Sequence, residues 1–141
     1  MIQEEKVKLR NLLISHESYS QFNFTDSEGN TKVGIGRNLT DRGISHTEAV
    51  TLLDNDIYYF FSKLRHYLED FHFLDSNRQF ALIGMCFNLG IKGLLGLDEL
   101  VYSINNRDWI KAHKDILDSK WADQAGEKAI QLANIILTGE L

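Results

Sequence analysis

Ser45-His46-Thr47-Glu48 is the pattern that most narrows what this chain can fold into. Serine followed three residues later by glutamate is a capping box. The hydroxyl accepts from one backbone N–H of the first turn, and the carboxylate reaches back to the serine N–H. Two donors that a helix start leaves unpaired are thereby satisfied. Apolar residues then recur at Ala49, Leu52, Leu53, Ile57, Phe60, Phe61, Leu64 and Leu68. Steps of three and four keep them on one helical face. The reading is a long helix over about 46–69 that joins a lobe before it to a lobe after it, with a cleft between the lobes.

Before that helix the periodicity changes. Residues 4–15 carry Val7, Leu9, Leu12 and Leu13 among charges, which predicts an amphipathic helix. Tyr19, Phe22 and Phe24 lie in a polar stretch suited to a strand. Asp26-Ser27-Glu28-Gly29-Asn30 is a turn, with Gly29 free to take positive φ. Lys32-Val33-Gly34-Ile35-Gly36 returns as a second strand, and its glycines let another backbone or a ligand come close.

After the long helix the pattern stays helical. Ser76-Asn77-Arg78-Gln79 reads as a second capping box, opening a helix through Ala81, Leu82, Met85 and Cys86 that ends near Gly90. Gly93 and Gly96 interrupt a short helical segment. Further helices are expected at about 97–105, 108–118 and 124–138, the last stopped by Gly139. The fold class is therefore α+β: a small β-hairpin lobe over about 16–46, then a helical lobe over about 70–141 that includes the N-terminal helix. The whole is one domain of 141 residues.

Composition removes several classes of function. Apolar residues are 43% and aromatics 11%, enough for a core and too many for a disordered chain. A formal net charge of −5 argues against a sequence-independent nucleic-acid binder, which needs basic patches to displace counterions. No apolar run approaches the ~20 residues of a membrane span. The start, MIQEEKVKLRNLLISHE, has no uninterrupted apolar segment of the secretory kind. Cys86 is the one cysteine, so no intrachain disulfide forms; in ALIGMCF it reads as a buried core thiol. Proline is absent and no segment repeats.

Several motifs fail on inspection. His16-Glu17 begins the zinc pattern H-E-x-x-H, but Ser20 stands where the second histidine belongs. His46, His66, His72 and His113 are scattered. Asp26-Ser27-Glu28-Gly29 hints at a calcium loop, but Phe24 sits where an oxygen ligand is needed. Gly34-Ile35-Gly36 lacks the third glycine of a dinucleotide fingerprint, with Leu39 in its place. No metal or cofactor is expected.

Glu17 and Asp26 remain, nine positions apart. Glycoside hydrolysis needs one carboxyl that carries a proton and a second that is ionised. Glu17 follows the last turn of a helix near Leu13 and Ile14, and partial burial there would favour its protonated form. Asp26 opens a turn whose backbone N–H groups would hold it ionised. A hairpin between them can bring both to one mouth. The spacing alone fits ordinary surface charge as well as an acid and a base.

The order of motifs goes further. H-E, D-S-E-G-N, V-G-I-G-R-N-L and G-I-S-x-x-E-A-V-x-L-L-x-x-D-I are followed by R-Q-F-A-L-I-G-M-C-F-N-L-G over 78–90. Then come Asp108-Trp109, D-S-K-W-A-D-Q over 118–124, and A-N-I-I-L-T-G over 133–139. This series resembles the phage-type lysozymes, the bacteriophage muramidases of glycoside hydrolase family 24, over roughly residues 7 to 139. The resemblance implies a lysozyme-like fold. It implies hydrolysis, with inversion, of the β-1,4 bond between N-acetylmuramic acid and N-acetylglucosamine in peptidoglycan. It implies Glu17 as general acid and Asp26 as the base or water-orienting carboxylate, with Asn38, Phe87 and Asn88 at cleft positions. Phe87 reads equally as a core residue.

Two positions depart from the family. A threonine usually precedes the I-G-x-G strand and helps hold the attacking water; here that position is Lys32, and the threonine is Thr31, one residue earlier. A strand alternates faces, so Thr31 points the other way unless a bulge intervenes. A lysine near Asp26 helps it stay ionised and works against a proton on Glu17. The second departure is Lys128, where the family commonly has an arginine, whose planar fork lysine lacks. The expectation is an endolysin, monomeric, with glycan strands of peptidoglycan as its partner. It is held in the host cytoplasm until released to the cell wall in the periplasm. The alternative is a degenerate fold that binds glycan or protein without turnover.

Overall fold

The computed structural model describes all 141 residues. In chain order the elements are α1 (Gln3–His16), β1 (Tyr19–Thr25), β2 (Thr31–Ile35), β3 (Arg37–Asn38), α2 (His46–Tyr67), a 3-10 turn at Phe71–Phe73, α3 (Ser76–Leu95), α4 (Asp98–Asn105), α5 (Trp109–Leu117), α6 (Lys120–Ala125) and α7 (Glu127–Thr138). Helices dominate and all strands lie in one small sheet, so the class is α+β as the sequence predicts. The chain divides into two compact units, Met1–Thr51 and Leu52–Leu141.

In the first unit the sheet is antiparallel in the order β1-β2-β3. The Asp26–Asn30 turn forms as expected. Asp26 N–H donates to the Asn30 carbonyl (2.9 Å), Gly29 N–H donates to the Asp26 carbonyl (3.1 Å), and Gly29 takes φ +84°. The β1–β2 register is broken once: Ser20 faces Gly34 and Phe24 faces Lys32. Gln21, Phe22 and Asn23 therefore stand opposite Val33 alone, a bulge carried by β1. The third strand is a finding that the sequence reading lacks, since it expects a simple hairpin. Gly34 and Gly36 take φ +66° and +69°, values that only glycine adopts freely. They turn the chain back so that Arg37 pairs with Val33 and Asn38 with Lys32.

Helix α1 forms where its periodicity places it. None of its residues is buried, and Leu12 is 51% exposed. No residue of Met1–Thr51 falls in the buried class; the most enclosed stretch is 31–34 with 36–39. Backbone ladders and polar ties, not an apolar core, give this unit its shape.

The second unit holds the core. Leu64, Phe71, Leu82, Met85, Leu94, Leu100, Ile104, Ile116 and Ile136 have almost no exposure. Cys86 joins them, and burial pushes its thiol up to about 12, which makes it a packing residue. The expected capping box at Ser76 is displaced by one residue. Asp75 is the cap, accepting from Arg78 N–H (3.0 Å), because Gln79 is occupied elsewhere. Its amide donates to the carbonyls of Phe71 and Leu74. Helix α3 breaks at Gly90, which has φ +68° and ψ 169°. The helix expected over 124–138 is two helices instead, because Gly126 at φ +58° ends α6 and begins α7. No single helix is long and apolar enough to cross a membrane.

Candidate active site

Asp26 is fixed by its own turn. Its Oδ1 accepts from the N–H groups of Glu28 and Asn30, both at 2.9 Å. Its Oδ2 lies 3.3 Å from Lys32 Nζ. The Asn30 N–H does most to hold the carboxyl below the usual aspartate range. The Glu28 N–H and the Lys32 ammonium add to it, against partial desolvation. The bulge sits on β1, so β2 alternates regularly through Thr31 and Lys32. Lys32 takes the Asp26 side, and Thr31 is tied differently, its N–H donating to Thr40 Oγ1 at 2.8 Å.

Glu17 caps α1, its N–H donating to the Leu13 carbonyl (2.8 Å). Its side chain lies over Gly36. A Cβ built on that glycine would stand 3.0 Å from Glu17 Oε2. The bare strand predicted from the glycines thus receives a carboxylate. The expected partial burial of Glu17 is not seen: the residue is exposed, since its apolar neighbours Leu13 and Ile14 are themselves 45% and 46% exposed.

Asn38 shares β3 with the sheet edge, but its amide is engaged. Nδ2 donates to Asp41 Oδ2 (3.2 Å), and Oδ1 accepts from Asp41 N–H (3.0 Å). It builds the turn after β3. Phe87 and Asn88 belong to α3 in the second unit, both exposed. The Phe87 ring is 43% exposed and packs at 5.3 Å from Phe60, so it borders the core without entering it. Lys128 is exposed in the first turn of α7. No cluster of three or more His, Cys, Asp or Glu side chains is arranged to hold a metal.

A family model described as phage lysozyme matches residues 14–134. The chain belongs to the phage lysozyme family. Its α+β architecture is accordingly the lysozyme-like one. The pre-baseplate central spike protein Gp5 of Enterobacteria phage T4 is 30% identical over 112 residues, covering 76% of this chain and 20% of that protein. Probable T4-type lysozyme 1 of Dictyostelium discoideum is 29% identical over 68 residues, 48% of this chain and 40% of its own. Probable T4-type lysozyme 2 of the same organism is 23% identical, with 94% of this chain and 95% of the relative covered. The chain thus spans a fifth of the spike protein, two fifths of the first lysozyme and nearly all of the second.

One feature of the first unit has no counterpart in the sequence reading. Arg37 donates twice to Glu48, from Nη1 to Oε2 (2.6 Å) and from Nη2 to Oε1 (2.5 Å), and once to the Gly43 carbonyl (3.1 Å). Glu48 also closes the capping box, accepting from Ser45 N–H at 2.8 Å while Ser45 Oγ accepts from Glu48 N–H at 3.1 Å. Arg37 first, then the Ser45 N–H, holds the Glu48 carboxyl at about 2. The sequence signals the box; nothing in it signals that an arginine eleven residues earlier shares the same carboxylate.

Proposed function

We propose that this protein is a muramidase, cleaving the β-1,4 bond between N-acetylmuramic acid and N-acetylglucosamine in peptidoglycan with inversion. Glu17 is the proton donor to the leaving oxygen, and Asp26 is the anion that orients or activates water. Asp26 carries the reading: two backbone N–H groups and an ammonium face it, which is the environment an obligatory carboxylate needs.

Placement on one sheet supports the pairing. Glu17 lies at Gly36, and Asp26 lies at Lys32. The four steps of chain from Lys32 to Gly36 set those anchor points roughly 13 Å apart at most. The about 6.5–9.5 Å that an inverting hydrolase keeps between its carboxyls for a water lies within that bound. Asn38 builds the turn after β3. Phe87 and Asn88 are exposed and free to meet sugar. In this reading the enzyme works as a monomer without cofactor. It is held in the host cytoplasm until release to the wall.

A second reading rests on Lys32. Its ammonium already occupies one oxygen of Asp26, so a water must share or displace that contact. A site so neutralised suits glycan binding without turnover. Turbidity of permeabilised Gram-negative cells separates the two. Clearing by the wild type and none by Glu17→Gln supports the muramidase. Tight muropeptide binding with no cleavage by the wild type supports the binder and ends the first reading.

A further inference from the structure

We propose that Arg37 and Glu48 are positioning residues for the Glu17–Asp26 pair: their two-pronged ion pair clamps β3 to the first turn of α2 and so fixes the strand positions against which both carboxylates rest. The proposal rests on the muramidase reading for its kinetic test only.

Position along the chain makes the argument. Arg37 has Gly36 on one side and Asn38 on the other. Gly36 is the residue on which Glu17 lies, so closely that a methyl group there would crowd the carboxylate. Asn38 pairs across the sheet with Lys32, the residue that contacts Asp26. The next residue, Leu39, donates its N–H to the Thr31 carbonyl at 2.7 Å. A shift of Arg37 is therefore passed to both carboxylates through immediate neighbours.

Beyond its backbone ladder with β2, β3 has one side-chain anchor of this strength. The strand is two residues long. No residue of Met1–Thr51 is buried, so no core packing fixes its place. What ties it to α2 is the guanidinium fork on Glu48, with a third bond to the Gly43 carbonyl. A planar fork on a carboxylate sets direction as well as distance, which a lysine in the same place would not. Glu48 is anchored in turn by the Ser45 N–H and feels the nearby Arg42 charge. The clamp thus joins a strand to a capped helix start.

The test uses Arg37→Met, Arg37→Lys and Glu48→Gln, each checked by circular dichroism. Two quantities are read: kcat and KM on purified glycan strands, and the titration of the Asp26 carboxyl by carbon NMR. The expected result is a kcat at least tenfold lower in Arg37→Met and Glu48→Gln with KM within threefold. The Asp26 midpoint should also move toward the ordinary aspartate value. Arg37→Lys should recover part of the rate. A clamp that served stability alone would lower the melting temperature and leave the Asp26 titration where it was. A kcat within twofold of wild type, or an unmoved Asp26 midpoint, overturns the proposal. If Arg37→Met does not fold, Glu48→Gln and Arg37→Lys decide it by the same criteria. If the wild type proves inactive, the muramidase reading fails separately, and the Asp26 titration alone decides the clamp.

Discussion

The Lys32 ammonium stands 3.3 Å from Asp26 Oδ2, on the same side of β2 as the carboxylate that the Asp26 turn presents. The two side chains are 28% and 18% exposed, so water screens the contact without abolishing it. Lysine, not threonine, is thus the neighbour that an attacking water would meet at Asp26.

That contact fixes the sign of a pH effect. Asp26 has a depressed folded pKa, so its ionised form, and any activity that needs it, is present above that pKa and lost as pH falls through it. Lys32→Thr removes one of the lowering influences and leaves the stronger Asn30 N–H in place. The acid limb of the pH–rate profile should move up, and the optimum with it. Superimposable profiles for wild type and variant would show that the ammonium has no influence on the group that sets the acid limb.

Asp26→Asn separates charge from shape. An asparagine oxygen accepts from the Glu28 and Asn30 N–H groups as aspartate does, so the turn should survive. The anion is gone. Turnover should fall by about 10²–10⁴-fold, the usual range for a positioned acid or base, while the melting temperature changes little. A variant with more than a tenth of wild-type activity would remove Asp26 from the chemistry.

Gly36 gives a third expectation. An alanine Cβ there would meet Glu17 Oε2 at 3.0 Å and Cδ at 3.1 Å, and would have to adopt φ +69°. The backbone strain alone costs about 1–2 kcal/mol. The Glu17 carboxylate must also shift by a few tenths of an ångström. Gly36→Ala should therefore lose more activity than its stability loss explains, in contrast to Gly29→Ala, whose Cβ meets nothing within 4 Å. Equal activity losses in the two variants would mean that Glu17 does not depend on this contact.

The elements easiest to read beforehand are those made by neighbours in sequence. The Ser45–Glu48 box, the Asp26 turn and the stop at Gly139, with φ +74°, each involve residues at most four apart. Their chemistry is local, so the residue types suffice. What escapes are choices between equivalent local partners and bonds across long loops. Asp75 and Ser76 are both good caps, and the side chain of Gln79, turned toward the Phe71 and Leu74 carbonyls, decides for Asp75. Gly126 reads as a tolerable helical glycine until its φ of +58° shows two helices. The same limit hides the site's supports. Glu17 and Asp26 are visible as carboxylates, but Glu17 over Gly36 and Arg37 on Glu48 are tertiary contacts that no periodicity encodes. The burial expected for Glu17 fails for a related reason, since apolar residues one turn back enclose a side chain only when they are themselves covered.

Arg78 supplies the last expectation, one about stability in the helical unit. Its Nε donates to the Ile136 carbonyl at 2.7 Å and its Nη2 to the Leu137 carbonyl at 3.1 Å. These are carbonyls in the last turn of α7, which has no intrahelical donors left for them. The same guanidinium pairs with Asp75 at 2.9 Å and lies over the Trp109 ring at 4.2 Å. One side chain therefore ties the start of α3 to the end of α7 and to the start of α5. It is 14% exposed, so its bonds compete weakly with water. Arg78→Met keeps apolar bulk and loses every donor, leaving two carbonyls unpaired. The expected cost is roughly 2–4 kcal/mol, read by urea unfolding as a lower midpoint at unchanged slope. Arg78→Lys should fall between, since an ammonium can meet one carbonyl but cannot span two and stack. A loss below about 0.5 kcal/mol, the range of an ordinary surface change, would show that α7 ends as stably without the arginine, held by apolar packing and by the Asn77 amide on the Gly139 carbonyl.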